Sequence, residues 1–128
     1  MSEENVEIVR RVFADWASGD FTGGAHFDPD VEFDMVDWPE SGPSRGVAAM
    51  ARQWMDTLRA WEDFRAEPTE FIDLGSQVVV LCDASGRGRG SGAEMSAETG
   101  TVWTLEAGRI VRLELYWDSA KALEAVGR

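Results

Sequence analysis

Apolar side chains recur at helical spacing between residues 3 and 17, where Val6, Val9, Val12, Phe13 and Trp16 share one side. That pattern predicts an amphipathic first helix, with Ser2 as a candidate N-cap and Ser18-Gly19-Asp20 as its stop. Residues 21–27 carry a weaker helical signal because Gly23-Gly24 interrupts it, and Asp28-Pro29-Asp30 predicts a turn. The period then changes. In Val31-Glu-Phe-Asp-Met-Val-Asp37, residues Val31, Phe33 and Met35 point one way while Glu32 and Asp34 point the other, as in a half-buried strand. The segment Trp38 to Arg45 reads as a loop leading into a long helix over 45–62, with Val47, Met50, Trp54, Leu58 and Trp61 as its apolar stripe.

Beyond that helix the period falls from about 3.6 to 2 and stays there for about fifty residues. Strands are expected over 64–73, 77–90, 94–105 and 109–117, with Pro68 marking an edge or bulge. Turns are expected at Gly75-Ser76, at a Gly-rich bend and at Glu106-Ala-Gly-Arg109. Asp118 or Ser119 then caps a short C-terminal helix carrying Ala122, Leu123 and Val126. Helices first and a run of hairpin-linked strands afterwards is the order of α+β architecture. The expected fold is a strongly curved antiparallel sheet wrapped around helices with an internal pocket, as one domain over residues 1–128.

The parity of the strands sorts the sheet into two faces. Val78, Val80, Cys82 and Ala84 share a face that continues as Gly86, Gly88 and Gly90, which marks either a sharp bend in the sheet or a hairpin tip. In the last strand Val111, Leu113, Leu115 and Trp117 oppose Arg112, Glu114 and Tyr116, and in the strand before it Thr101, Trp103 and Leu105 oppose Glu98, Val102 and Thr104. Helices are expected over the apolar face. The polar-aromatic face is expected to be a solvated surface or a contact between two copies of the chain.

Composition narrows the classes of function. The 128 residues hold 24 acidic and 12 basic side chains, a net charge of −12 that repels nucleic acid and anionic membrane surfaces. No apolar run approaches the roughly 20 residues of a membrane helix. No signal segment is visible at the N-terminus, so the expected compartment is cytoplasmic. A single Cys and a single His cannot supply a His/Cys zinc site, and neither a metal nor another cofactor is expected. Cys82, inside a β-like apolar run, reads as a small buried hydrophobe. His26 has no visible nucleophile partner, and Gly86-Arg-Gly-Arg-Gly-Ser-Gly92 lacks the flanking basic residues of an RNA-binding tract.

Six Trp in the chain is a high count, and five of them, Trp16, Trp54, Trp61, Trp103 and Trp117, fall on predicted apolar faces. They either fill a core or line a cavity for a flat apolar ligand. Phe13, Trp16, Phe33, Met35, Met50, Trp54, Thr101 and Trp103 are the expected substrate-binding set. Asp37 is the candidate catalytic residue, because strand parity would turn it toward the core, where a desolvated carboxylate can exchange protons with carbon. If the strand ends at Val36, Asp37 instead begins the loop.

The order of elements resembles the nuclear transport factor 2-like superfamily, in its SnoaL-like polyketide cyclase and ketosteroid isomerase-like branches. The segments that carry the likeness are Val9-Arg-Arg-Val-Phe-Ala-Asp-Trp-Ala-Ser-Gly-Asp20, Asp30-Val-Glu-Phe33, Arg45-Gly46 and the run from Val102 to Asp118. The resemblance implies a cone-shaped sheet with a pocket, often in a homodimer, and members that are enzymes or non-catalytic binders. It also implies a general-base role for Asp37, which precedes Gly46 by the interval found in ketosteroid isomerases. The oxyanion-hole Tyr and Asp of those isomerases would fall at Val12 or Phe13 and at Gly100 or Thr101, so steroid isomerisation is not expected. The expected function is binding of a small apolar or aromatic ligand, with acid/base isomerisation or cyclisation of a cyclic carbonyl compound at Asp37. The alternative is a non-catalytic ligand-binding or dimerisation module.

Overall fold

The long alternating stretch forms four strands of an open six-stranded sheet in the computed structural model, which describes residues 2–18, 26–37 and 43–128. In chain order the elements are α1 (Ser2–Ala17), β1 (Phe27–Met35), β2 (Pro43–Arg45), α2 (Val47–Arg59), β3 (Trp61–Asp73), β4 (Gln77–Gly88), β5 (Glu94–Glu106), β6 (Arg109–Tyr116) and α3 (Ser119–Ala125). Across the sheet the order is β2-β1-β6-β5-β4-β3. The side chain of Ser2 and the expected loop at Trp38 lie outside the described residues, as does most of the expected short helix at 21–27.

The strands β3 to β6 pair antiparallel in sequence order, as the hairpin signals predict. One pair departs from that rule: β1 lies parallel to β6, so the sheet is mixed. A hairpin forces its two strands antiparallel, but β1 and β6 are separated by most of the chain, and no short turn fixes their relative direction. The three-residue β2, expected to be loop, adds to the outer edge of β1 with Phe33 opposite Ser44. Its alternation is too short to read from sequence.

Other boundaries shift for local reasons. Asp28-Pro29-Asp30, expected as a turn, lies within β1 at a break in the ladder to β6, where Asp28 accepts a 2.8 Å hydrogen bond from the Asp30 N–H. Trp61, expected on the helix stripe, is the first residue of β3. The Arg89 side chain donates to the Arg59 carbonyl at 2.8 Å and to the Trp61 carbonyl at 3.2 Å, satisfying chain that has left the helix. Pro68 sits at a register shift in β3, an edge strand, where its missing N–H costs no ladder bond. In β6, Thr104 pairs with Arg112 but Leu105 with Ile110, so Val111 is the extra residue of a bulge and Ile110 takes the buried position expected for Val111.

Helices cover both faces. α1 and α2 pack on the inner face around one large apolar cluster, and α3 packs on the outer face over Val79, Val102 and Tyr116. The outer face is therefore neither wholly solvated nor wholly free for another copy, a correction to the expectation from parity alone. Asp118 is the cap of α3, accepting from the Ala120 N–H at 2.9 Å. The seat of that helix is Gly100: a Cβ there would come within 2.6 Å of the Ala122 Cβ, so only glycine admits the helix at this distance.

Candidate functional site

On the inner face apolar side chains recur at every second strand position and every third or fourth helix position, and folding brings the large rings among them against one another. Phe13, Phe33, Met35, Met50, Trp54 and Trp103 of the expected binding set belong to one buried cluster, and Trp16 packs against it. Trp103 is completely buried and is flanked by Phe13, Trp16 and Phe27 at centroid distances of 5.6, 5.7 and 6.3 Å. Trp16 stacks on Trp54 at 6.0 Å, Trp54 meets Phe64 edge-on at 5.9 Å, and Phe64 leads to Trp61 and from there to Trp117. The rings form a continuous belt from the β3–β4 side of the sheet to the end of β6.

Trp103, Thr101 and Thr57 make local polar contacts inside this belt. The Trp103 indole N–H donates to the Thr101 hydroxyl at 2.7 Å, and that hydroxyl reaches the Val80 carbonyl at 3.4 Å. Thr57, on α2, reaches the Gln53 carbonyl at 3.2 Å and the Met35 sulfur at 3.4 Å. Among the described residues the buried polar side chains are Thr57, Thr99 and Thr101. Thr57 and Thr99 lie outside the set expected from sequence.

Asp37 stands at the margin of the belt. The strand ends at Met35, so the parity that would turn Asp37 inward does not extend to it; Val36 and Asp37 form a turn. The Asp37 carboxylate instead reaches the corner between β6 and α3. One oxygen accepts from the Trp117 N–H at 2.5 Å, and the other accepts from the Asp118 N–H at 3.3 Å and lies 3.8 Å from the Lys121 ammonium. Its side chain retains 15% exposure, so it is shielded by the corner without being sealed from solvent. The backbone N–H of Val36 also bonds to the Leu115 carbonyl at 2.9 Å, continuing the parallel ladder up to Asp37. This contact spans about eighty positions of sequence, and nothing local announces it.

The single cysteine is a core residue. Burial first, and then the neighbouring Asp83 carboxylate, push the Cys82 thiol up to about 12, which keeps it protonated and unreactive at neutral pH. Among the described residues no group of three or more His, Cys, Asp or Glu side chains is placed to hold a metal ion. Among the described residues no helix is long and apolar enough to cross a membrane.

Two cavities formed by described residues open on the outer face. One, of about 580 Å³, is lined by Glu67, Asp83 and Glu98, paired across β3, β4 and β5, together with Ser85 and Ser96. The other, of about 320 Å³, lies beside Glu32, Asp34, Arg45 and Arg112, where Arg45 binds Glu32 at 2.8 Å. Phe33 is among the residues lining the second, and no tryptophan among the described residues lines either.

The model of the SnoaL-like domain family matches residues 9–113 of the chain. No curated protein sequence matches it. Solved structures match over nearly their full length. A nuclear transport factor 2-like protein of unknown function from Burkholderia pseudomallei is 25% identical with a TM-score of 0.81, all of both chains being covered. A proposed polyketide cyclase from Sinorhizobium meliloti is 28% identical with a TM-score of 0.70, over 85% of this chain and 93% of that one. A protein with a ketosteroid isomerase-like fold from Catenulispora acidiphila, solved with trimethylamine, is 19% identical with a TM-score of 0.73, over 92% and 90% of the two chains.

Proposed function

This chain belongs to the SnoaL-like domain family of the nuclear transport factor 2-like superfamily, and from that premise we propose that it binds a small apolar or aromatic molecule between α1, α2 and the inner face of the sheet. The observation that carries the reading is the belt itself. Trp16, Trp54, Trp61, Trp103 and Trp117 are joined through ring contacts, with threonines as the buried polar side chains among the described residues. Such a surface favours flat apolar molecules carrying few polar atoms. The expected binding residues Phe13, Trp16, Phe33, Met35, Met50, Trp54, Thr101 and Trp103 supply most of it.

Within this proposal Asp37 is the acid/base group, acting on a cyclic or aromatic carbonyl compound. It would take a proton from the carbon next to the carbonyl; in an isomerisation the proton returns to a neighbouring carbon, and in a ring closure the carbanion adds to a second carbonyl carbon of the same molecule, the π bond of that carbonyl breaks and its oxygen takes the proton, with no net change of oxidation state. Support comes from its place: the carboxylate is bonded to the main chain of Trp117, whose ring ends the belt. The second reading is a ligand-binding or dimerisation module without catalysis. It is favoured by the same contacts, since both Asp37 oxygens already hold the β6–α3 corner.

Asp37→Asn separates the two. Asparagine keeps one oxygen for the Trp117 N–H, so the corner persists, but it cannot accept a proton from carbon. The expected result is loss of product by mass spectrometry with ligand-induced change in Trp fluorescence retained; turnover equal to wild type would overturn the catalytic assignment. A homodimer is part of the proposal, through the outer-face strip where Arg45, Glu32 and Arg112 alternate in sign across β2, β1 and β6. Sedimentation velocity at micromolar concentration checks it, and a single monomeric species would remove it.

A further inference from the structure

The glycine-rich run Gly86 to Gly92 ends β4 and turns the chain toward β5. Its own bonds close the turn: the Gly88 N–H donates to the Ala93 carbonyl and the Gly92 N–H to the Gly88 carbonyl, each at 2.9 Å. Two positions require glycine. Gly90 has a φ of 93°, and a Cβ on Gly88 would stand 2.6 Å from the Ser91 hydroxyl oxygen. The turn aims Arg89 at the end of α2, where three successive carbonyls accept from that residue. Its N–H donates to the Ala60 carbonyl at 3.0 Å, its Nε to the Arg59 carbonyl at 2.8 Å and its Nη2 to the Trp61 carbonyl at 3.2 Å, while Nη1 lies 3.9 Å from a Glu62 carboxylate oxygen. Carbonyls at a helix end lack partners within the helix, and a guanidinium suits them because its fork reaches two acceptors and its charge complements the helix C-terminus.

The two side-chain bonds fall on opposite sides of a bend. Arg59 ends α2 and Trp61 opens β3, so a side chain bonded to both sets the angle between helix and strand at Ala60. Across that angle the ring of Trp54, on α2, meets that of Phe64, on β3, edge-on at 5.9 Å. Just beyond the bend the β3–β4 ladder is interrupted between Glu62 and Arg65, with Asp63 at a φ of 54°. The start of α2 is tied differently, through the Gly46 N–H on the Val31 carbonyl at 2.8 Å and the buried Met50. We propose that Arg89 is a latch on a hinge at Ala60, and that the seam it holds shut, between Trp54 and Phe64, is where a small apolar molecule enters the inner face. The inference rests on the small-molecule reading above and adds the route of entry. The Arg89 side chain is 58% exposed, so water replaces its bonds at small net cost and the latch opens while the core stays folded.

The test follows N-phenyl-1-naphthylamine, an uncharged apolar fluorophore, by stopped-flow fluorescence in the wild type, Arg89→Met and Arg89→Lys. Methionine keeps the apolar stem without the donors; lysine keeps the charge but not the fork. A latch slows entry and exit alike, so Arg89→Met is expected to raise both rate constants about tenfold with the dissociation constant unchanged to within about twofold, and Arg89→Lys to fall between. Amide exchange without the probe is expected to accelerate over residues 57–62 and to stay as it is in α1 and in the first half of α2. Unchanged rates in Arg89→Met, weaker binding with entry no faster, or exchange that rises evenly along the chain would each overturn the latch while leaving small-molecule binding standing; the last two are what a merely structural arginine gives. No binding of the fluorophore by the wild type would overturn both readings. If Arg89→Met fails to fold, Arg89→Lys decides by the same criteria.

Discussion

On the inner face of the sheet two helices cover a belt of large rings, whereas on the outer face one short helix covers a smaller cluster around Val79, Val102 and Tyr116 and leaves the remaining surface to charges. Inside, Trp103 is wholly buried with its one polar atom bonded to Thr101. Outside, Gly100 meets Ala122 at the closest approach between helix and sheet, and beyond α3 the strands carry Glu67, Asp83, Glu98, Glu32 and Arg112. The inner face is held by ring volume, and the outer helix is seated where Gly100 has no side chain. A single strand supplies both: β5 gives Trp103 and Thr101 to the rings, and Gly100 and Val102 to the helix seat. The difference bears on function, because a face built from rings can exchange ring contacts with a flat ligand, while a face built on close approach has no such contacts to exchange.

The strongest way to break the comparison is Trp103→Ala. Removing a buried indole costs about 3–5 kcal/mol in well-packed cores, and the loss should appear as a lower urea midpoint with α3 contacts intact until global unfolding. Gly100→Val attacks the other face. Its side chain must displace Ala122 and the start of α3, at an expected cost of about 1–3 kcal/mol, with hydrogen exchange accelerating in α3 before it does in α1 or α2. If Gly100→Val loosened the ring belt as much as Trp103→Ala, the two faces would not be separable.

The smallest effect sharpens the comparison without mutation. Tyr116 is the only tyrosine, lies under α3, and has its phenol pushed up to about 12 by burial and then by Glu114, to which its hydroxyl donates at 3.1 Å. The folded chain thus holds this proton more tightly than the unfolded chain, whose value is about 10. Its contribution to stability is fully present below pH 10 and is lost as pH rises from 10 toward 12. Absorbance of the phenolate at 295 nm should rise near pH 12 in the native protein and near pH 10 in urea. A native transition at 10 would mean that α3 does not shield the outer face.

Much of the fold was legible because it rests on period. The 3.6-residue spacing of α1, the alternation from β3 to β6 and the Ala107-Gly108 turn, with φ values of 51° and 79°, are properties of neighbouring residues. The shared burial of Phe13, Phe33, Met35, Met50, Trp54 and Trp103 was legible for the same reason: residues on apolar faces of a single-core chain converge. Asp37 shows where this reading stops. Parity assigned it inward, but its strand ends two residues earlier and its carboxylate bonds to chain eighty residues away. Trp61 shows the same limit, since the apolar stripe of α2 runs two residues past the helix that carries it.

The sequence by itself determined which residues are apolar, at what period, and with what net charge, and thereby the α+β class, the aromatic interior and the exclusion of a His/Cys metal centre. Those quantities are sums and spacings along the chain, and packing does not change them. Only the tertiary structure decided that β1 runs parallel to β6, that α3 takes the outer face, that Asp37 holds the β6–α3 corner and that Trp61 stacks on Trp117. Each of these joins residues far apart in sequence, and their pairing is selected by the mutual fit of surfaces that exist only after the strands have assembled.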